Sequence, residues 1–193
     1  MPPKQRFNKA MVLEAALKIT REAGFEAVNA RSLAAALNCS TAPIYSYCSN
    51  MDELKKELLD FAIRQFMDSI NQHKDDPDFL SYTNYILVHT ALHDSHFFRF
   101  IYLSHSHDGE SLYNLLMKYE THRFILAHIC TKYGLSHEQG RDVFYKLWFL
   151  VFGISAFLST NQVDTTEEEV LGIIGQAATA ILREAQMERM EKK

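Results

Sequence analysis

Helical periodicity runs through almost all of this 193-residue chain, and it restricts the fold more than any other feature. Apolar residues recur at intervals of three and four in nearly every segment, which is the spacing of one face of an α-helix. The chain has only four prolines, and three of them fall outside the segments with helical period. The sequence therefore predicts an all-α protein.

Capping residues and glycines divide this pattern into separate helices. Ser136 with Gln139 forms a capping box at the start of one helix, and Gly134 is suited to end the helix before it. Either Thr165 or Thr166 opens the last helix. The polar segment 73–78 breaks the pattern and is typical of a linker. Predicted helices cover residues 8–22, 51–72, 79–93, 111–133, 136–159 and 166–187, with a shorter helix after residues 94–95.

Residues 31–47 carry the strongest functional signal, because they predict two short helices joined by a tight turn. Asn38 can take the left-handed conformation that ends a helix, and Ser40 can cap the next one. In the second helix only Ile44 is expected to point inward. Two helices joined this closely form a helix-turn-helix, whose second helix can enter a DNA major groove. The first helix has one apolar face, formed by Leu33, Ala34 and Leu37.

Charge is distributed unevenly along the chain. Residues 1–50 carry six Lys or Arg and three Asp or Glu, a net charge of +3, whereas residues 51–193 carry fourteen and twenty-one, a net charge of −7. This asymmetry suits a protein that contacts phosphates at one end. The N-terminal sequence lacks the apolar segment of a signal peptide, no apolar run reaches the ~20 residues of a membrane span, and three cysteines show no paired spacing. A cytoplasmic protein without membrane contact is expected.

With the preceding helix included, residues 8–64 resemble the DNA-binding domain of the TetR family of transcriptional repressors. The resemblance is carried by an ordered series of short pieces. The pieces are Ala-Gly-Phe at 23–25, Arg31 with Leu33 and Ala34, Ser40, Ile44 with Tyr45, and Asn-Met-Asp-Glu-Leu at 50–54. The chain departs from the family pattern in three places. Residues 41–45 stand where Lys-Gly-Ala-Leu-Tyr is common, Cys48 where an aromatic residue is usual, and Met51 where a phosphate-contacting lysine is usual.

The resemblance implies a dimeric, ligand-responsive regulator, most often a repressor, that binds a palindromic double-stranded DNA operator. A helix-turn-helix domain at 1–50 would continue into a connecting helix at 51–72, and residues 73–193 would bind the effector and dimerise. Arg31, Ser32 and Tyr47 are the expected phosphate contacts, and Lys4 and Arg6 lie on an arm that can reach the backbone or minor groove. The expected contacts to base edges are Thr41, Ala42, Pro43, Tyr45 and Ser46.

Aromatic and histidine residues are concentrated between residues 82 and 102 and are candidates for an effector pocket. His89 and His93 have the four-residue spacing at which two imidazoles can hold a metal, but no third ligand is identifiable from the sequence. The sequence prediction is therefore no metal and no cofactor. Aromatic and histidine residues that simply belong to the core or the surface, with their hydrogen bonds satisfied there, would give the same sequence pattern. The predicted pocket residues are His89, His93, His96, Phe97, Arg99, Phe100 and Trp148.

The last two helices are apolar around almost their whole circumference, which indicates burial on every side. A second copy of the chain is an economical way to bury them, with two helices from each subunit forming a four-helix interface. The alternative is that both helices form the centre of a monomer core. The apolar positions include Val143, Phe144, Leu147, Val151 and Phe152 in one helix and Leu171, Ile173, Ile174, Ala178 and Ile181 in the other.

No motif for catalysis is recognisable, since the chain has neither a nucleophile elbow nor a glycine-rich phosphate loop, and no enzyme activity is expected. Two other classes remain as alternatives. One is a helical small-molecule or metal-binding protein whose helix-turn-helix contacts only protein, and the other is a histidine-dependent metalloenzyme.

Overall fold

The protein is all-helical in the computed structural model, which describes residues 8–47, 50–104 and 111–191. No β-strand occurs in these ranges. Two 3₁₀ turns, Phe25–Ala27 and Ile44–Ser46, accompany the α-helices. The α-helices are α1 (Lys9–Ala23), α2 (Ala30–Ala36), α3 (Met51–Asn71), α4 (Phe79–His93), α5 (Ser95–Leu103), α6 (Leu112–Met117), α7 (Glu120–Tyr133), α8 (His137–Thr160) and α9 (Glu167–Glu191).

Most helix ends lie where the capping residues predict them. The Ser136 side chain accepts a hydrogen bond from the Gln139 backbone, and the Gln139 side chain accepts one from Ser136 N–H, so the predicted capping box of α8 is confirmed. Thr166 and Glu169 cap α9 in the same reciprocal way. Gly134 ends α7 at a positive φ of 64°, a conformation that costs glycine little. The polar segment 73–78 separates α3 from α4, as predicted.

The predicted continuous helix over residues 111–133 is wrong, because the structure has two helices, α6 and α7. Side chains of α7 take the carbonyl groups that would otherwise continue the helical ladder. His122 Nδ1 lies 2.8 Å from the Leu116 carbonyl oxygen, and the Arg123 guanidinium donates to the Met117 carbonyl at 2.5 Å. These bonds satisfy the last turn of α6 and stabilise the break.

The helices form two compact units. The first contains the described residues up to Phe66 together with Asp94–Ser104, and the second contains Met67–His93 and the described residues from Ser111 onward. The division differs from the sequence-predicted one in α5, which groups with the first unit because its aromatic residues are buried there. Residues of the first core include Val12, Ala16, Leu33, Ile44, Leu58 and Phe98.

The second unit is built around α8. Helices α4, α7 and α9 all pack against α8, and α4 also packs against α9. The side chain of Thr121 on α7 donates a hydrogen bond to the Asn71 side-chain oxygen at 2.8 Å, which ties the end of α3 to this unit. The buried side chains of its core include Phe79, Val88, Ile129, Phe144, Leu147 and Ile174.

Acid is expected to destabilise the second unit through His122, which is only 7% exposed. Burial lowers the pKa of this imidazole, and the hydrogen bond to Leu116 opposes the shift without cancelling it. As pH falls below the ordinary histidine pKa of about 6.5, the unfolded chain takes up a proton that the folded chain excludes, so stability present at neutral pH is lost. The loss approaches about 1.4 kcal/mol per pH unit for one such proton.

Thermal unfolding of the parent and of His122→Gln between pH 7.5 and pH 5 checks this prediction. The glutamine amide can still donate to the Leu116 carbonyl but does not titrate, so the variant should show a smaller fall in melting temperature over this range. An identical pH dependence of the two proteins would contradict the assignment to His122.

Candidate nucleic-acid interface and effector residues

The segment 30–47 is held in place by a cap at one end and a buried anchor at the other. Asn29 caps α2 by accepting hydrogen bonds from Arg31 N–H and Ser32 N–H, both at 3.0 Å. Asn38 has a φ of 50°, which confirms its predicted left-handed conformation. Ile44 is 1% exposed in the core of the first unit, a burial that contributes roughly 1.5–3 kcal/mol to holding the turn in place.

The predicted second helix of this segment is wrong, because it is a 3₁₀ turn of three residues, Ile44–Ser46. Pro43 precedes the turn and has no backbone N–H, and it disfavours helical conformation at the residue before it. The Ser46 hydroxyl donates to the Pro43 carbonyl at 2.6 Å, which further supports a local turn. The expected cap by Ser40 is also wrong, since Pro43 occupies the capping position and no side chain caps the turn.

Five residues predicted to contact DNA are exposed, and we call them the recognition surface: Arg31, Thr41, Ala42, Tyr45 and Ser46. Tyr45 is 64% exposed, a large value for an aromatic side chain. Together with the exposed guanidinium and the two exposed hydroxyl groups of the same segment, such a ring offers the mixed chemistry that contacts base edges and phosphates.

The other predicted DNA contacts are less accessible or lie outside the described residues. Pro43 and Tyr47 are half-buried. Ser32 is also half-buried, and its hydroxyl donates to the Ala27 carbonyl at 2.8 Å while accepting from Asn29 N–H at 2.9 Å. Ser32 therefore positions α2. Lys4 and Arg6 lie outside the described residues.

The predicted effector residues of α5 pack within the first unit. Phe97 is 1% exposed, and the Arg21 guanidinium lies 4.0 Å from its ring centroid. The same guanidinium bonds to the Asp94 carboxylate at 2.6 Å. Burial raises the pKa of the Asp94 carboxyl, and the charge of Arg21 opposes that shift. These contacts fix the start of α5 against α1.

The remaining α5 candidates continue this packing. Phe100 stacks on Phe25 with ring centroids 5.3 Å apart. Arg99 Nη2 lies 2.9 Å from His96 Nδ1. The His96 ring lies close to Gly24, since a methyl group added at Gly24 would lie 3.2 Å from the His96 Nδ1 atom. The α5 side chains therefore position α1 and the turn that follows it, and α5 belongs to the first unit and not to the larger domain in which the effector pocket is expected.

Trp148, His89 and His93 belong to the second unit. Trp148 is half-buried and stacks on Phe152, with ring centroids 4.8 Å apart and planes inclined by 9°. A groove of about 350 Å³ lies between α4 and α9, where ordinary ligand pockets measure roughly 300–1,000 Å³. Its walls include Tyr82, Tyr85, Leu171, Ile174 and Gly175.

Glu167 is the residue that the sequence analysis missed. It opens α9, and its carboxylate lies against His89 and His93 of α4, close to the end of the groove that Tyr85 and Leu171 line. No local pattern could reveal it, since 78 residues separate it from His89. A pairing of distant helices is a property of tertiary packing.

Helices α8 and α9 have a buried face and an exposed apolar face. Phe157 on α8 and Ile173 on α9 are 58% and 60% exposed, whereas Ile174 is 1% exposed. A methyl group at Gly153, Gly172 or Gly175 would meet no atom within 4 Å. These differences in exposure show that some apolar side chains of α8 and α9 form the core of the second unit, whereas others are exposed to solvent in a single chain.

Of the helices in the described ranges, α8 alone combines the length and mean hydropathy (1.6) of a membrane-spanning helix. Within its most apolar window, 39% of the residues are buried. The central helix of a folded domain has the same composition, so the finding does not distinguish the two.

Neither a protein-family profile nor a curated protein sequence matches this chain.

Proposed function

We propose that the protein is a DNA-binding transcriptional regulator that acts as a dimeric repressor on a palindromic operator and is released by a small molecule. The observation that carries this proposal is the recognition surface, in which Arg31, Tyr45 and two hydroxyl side chains are exposed while Ile44 of the same segment is buried. The resemblance of residues 8–64 to a TetR-type DNA-binding domain and the basic charge of residues 1–50 support the same function.

Each residue type of the recognition surface has a distinct task. The Arg31 guanidinium binds a phosphate through charge-assisted hydrogen bonds and positions the protein on the duplex. The Tyr45 ring and the Ala42 methyl group contact apolar base edges such as the thymine methyl. The Thr41 hydroxyl exchanges hydrogen bonds with base edges, and the Ser46 hydroxyl, which donates to the Pro43 carbonyl, accepts one. Two copies of this surface, held about 34–36 Å apart in a dimer, would contact successive major grooves.

A second copy of the chain is the proposed occupant of the exposed face of α8 and α9. Phe149 and Phe157 lie two turns apart on one face of α8, and Ile173 extends the apolar surface on α9. The exposed Gly172 of α9 permits close approach of a partner helix, since no side chain stands between the backbones there. This homodimer supplies the two-fold symmetry that a palindromic operator requires.

The α4–α9 groove is the proposed effector site. Its aromatic walls, Tyr82 and Tyr85, suit a flat organic molecule, and their hydroxyls can orient a polar group. In the chain, the last residue of α4 is followed directly by Asp94, which bonds to Arg21 of α1. A ligand that prefers one of two arrangements of α4 would therefore also bias the position of Asp94, whose carboxylate holds α1. Such a ligand would weaken DNA binding by its differential affinity for the two arrangements.

Selection of bound genomic fragments, followed by sequencing and a gel-shift titration, tests the proposed function. The expected result is enrichment of a short palindrome that the protein binds much more tightly than random duplex at the same salt concentration. Failure to enrich any sequence, together with equal affinity for all duplexes, would favour the alternative of a helical ligand-binding protein that does not bind an operator.

A further inference from the structure

Three side chains of the second unit meet at one point. His89 and His93 lie one turn apart on α4, with ring centroids 4.6 Å apart. Glu167, the first residue of α9, places its Oε1 2.6 Å from His89 Nδ1 and 3.4 Å from His93 Nε2. The three atoms capable of binding a metal all lie within 4.8 Å of one another.

We infer that these three residues bind one divalent transition-metal ion, with Zn²⁺ as the best match. Two imidazole nitrogens and one carboxylate oxygen form a ligand set that suits zinc and leaves a fourth position open. Ligand atoms about 2.0–2.1 Å from a tetrahedral zinc lie roughly 3.4 Å from one another, which is the separation of His93 Nε2 and Glu167 Oε1. This inference departs from the sequence prediction of no metal.

Small side-chain movements complete the site. The short distance between His89 Nδ1 and Glu167 Oε1 is that of a hydrogen bond, so the carboxylate must rotate away as the ion replaces the proton between them. Side-chain exposures of 41% for His89 and 59% for His93 allow an ion to enter from solvent and leave room for that rotation. The Tyr85 hydroxyl, 3.4 Å from His89 Nδ1, is a polar neighbour for a water in the fourth position.

The proposed ion would have a mechanical consequence. It would join α4 to the first turn of α9, two helices that already pack together. Binding to the folded state alone raises its stability by mass action, so a hundredfold excess of free metal over its dissociation constant should raise the melting temperature by about 5–10 °C.

Metal titration of protein without a polyhistidine tag tests the site without any DNA, so its outcome is independent of the proposed operator binding. The protein is first freed of metal with a chelator, and Zn²⁺ binding is then measured by calorimetry and Co²⁺ binding by visible absorption. We expect one ion per chain, the intense d–d bands of tetrahedral Co²⁺, and the rise in melting temperature.

His89→Ala, His93→Ala and Glu167→Gln should each weaken Zn²⁺ binding by more than about tenfold, because even the hydrogen-bond partners of metal ligands contribute roughly 10–100-fold. His137→Ala and Glu168→Gln are the matched controls, since both residues are exposed and lie in the first turns of α8 and α9. His105→Ala/His107→Ala controls for the other closely spaced histidines, which lie outside the described residues. All three controls should bind as the parent does.

Circular dichroism of the metal-free proteins identifies any variant that fails to fold, and Glu167→Gln, which keeps the size of the side chain, is the decisive substitution. The inference is overturned if the parent binds no ion, if Glu167→Gln retains the parent affinity, or if the double substitution at His105 and His107 removes the binding instead.

Discussion

Phe157→Glu and Ile173→Glu are each expected to convert the proposed dimer into a folded monomer. Both side chains are more than half exposed in a single chain, so a carboxylate there costs a protomer little. In a dimer closed by α8 and α9, the same carboxylate would be buried without a partner, and that costs several kcal/mol. Sedimentation velocity at micromolar concentration measures the change as a loss of about half the mass.

Tyr113→Glu is the matched control, because Tyr113 is 40% exposed and lies on α6, outside the two helices of the proposed interface. This substitution introduces the same charge in place of an aromatic side chain, and the variant should remain a dimer. A parent protein that sediments as a monomer would refute the interface, and so would dimers that persist in both Phe157→Glu and Ile173→Glu.

Burial decides which positions can test the interface. From the sequence, Ile174 looks equivalent to Ile173, since both are apolar positions of the last helix. Ile174 is only 1% exposed, however, so Ile174→Glu would place a charge in the core of the second unit and report on folding. The sequence indicated a surplus of apolar surface but could not divide it between the two uses.

Local rules predicted the helix ends well because the energies involved are local. The capping box of Ser136 and Gln139, the stop at Gly134 and the left-handed Asn38 each depend on residues within one turn. The break between α6 and α7 escaped prediction because it requires the α7 side chains of His122 and Arg123 to reach back to carbonyls of α6.

The candidate sites were less predictable, since they depend on which helices meet. The aromatic residues around Phe97 have the composition of pocket walls. In the structure they instead contact Arg21 and Phe25, and these contacts pack α1 and the turn that follows it against α5. The sequence around His89 and His93 offers no third candidate ligand, and Glu167 becomes one only because α4 packs against α9. The exposure of Tyr45, in contrast, follows from the inward anchor Ile44 and was visible in the sequence.

Substitutions on the recognition surface should separate positioning from sequence recognition. We expect Arg31→Ala to lower the affinity for the selected operator and for random duplex alike, by about tenfold, because a phosphate contact carries no sequence information. The loss of one phosphate contact should also reduce the slope of log affinity against log salt by about 1. Arg183→Ala, which removes an exposed arginine of α9 in the second unit, controls for the change in net charge.

Tyr45→Ala should act differently, because the ring is 64% exposed and proposed to lie against base edges. We expect it to weaken operator binding by about 1–3 kcal/mol while the affinity for random duplex changes little, so that the specificity ratio falls. Since the ring contributes little to the core, the melting temperature should stay near that of the parent. Gel-shift titrations of both duplexes at several salt concentrations measure the two effects together. If Arg31→Ala and Tyr45→Ala both bind the operator and random duplex as tightly as the parent does, the surface formed by α2 and the following turn does not contact DNA.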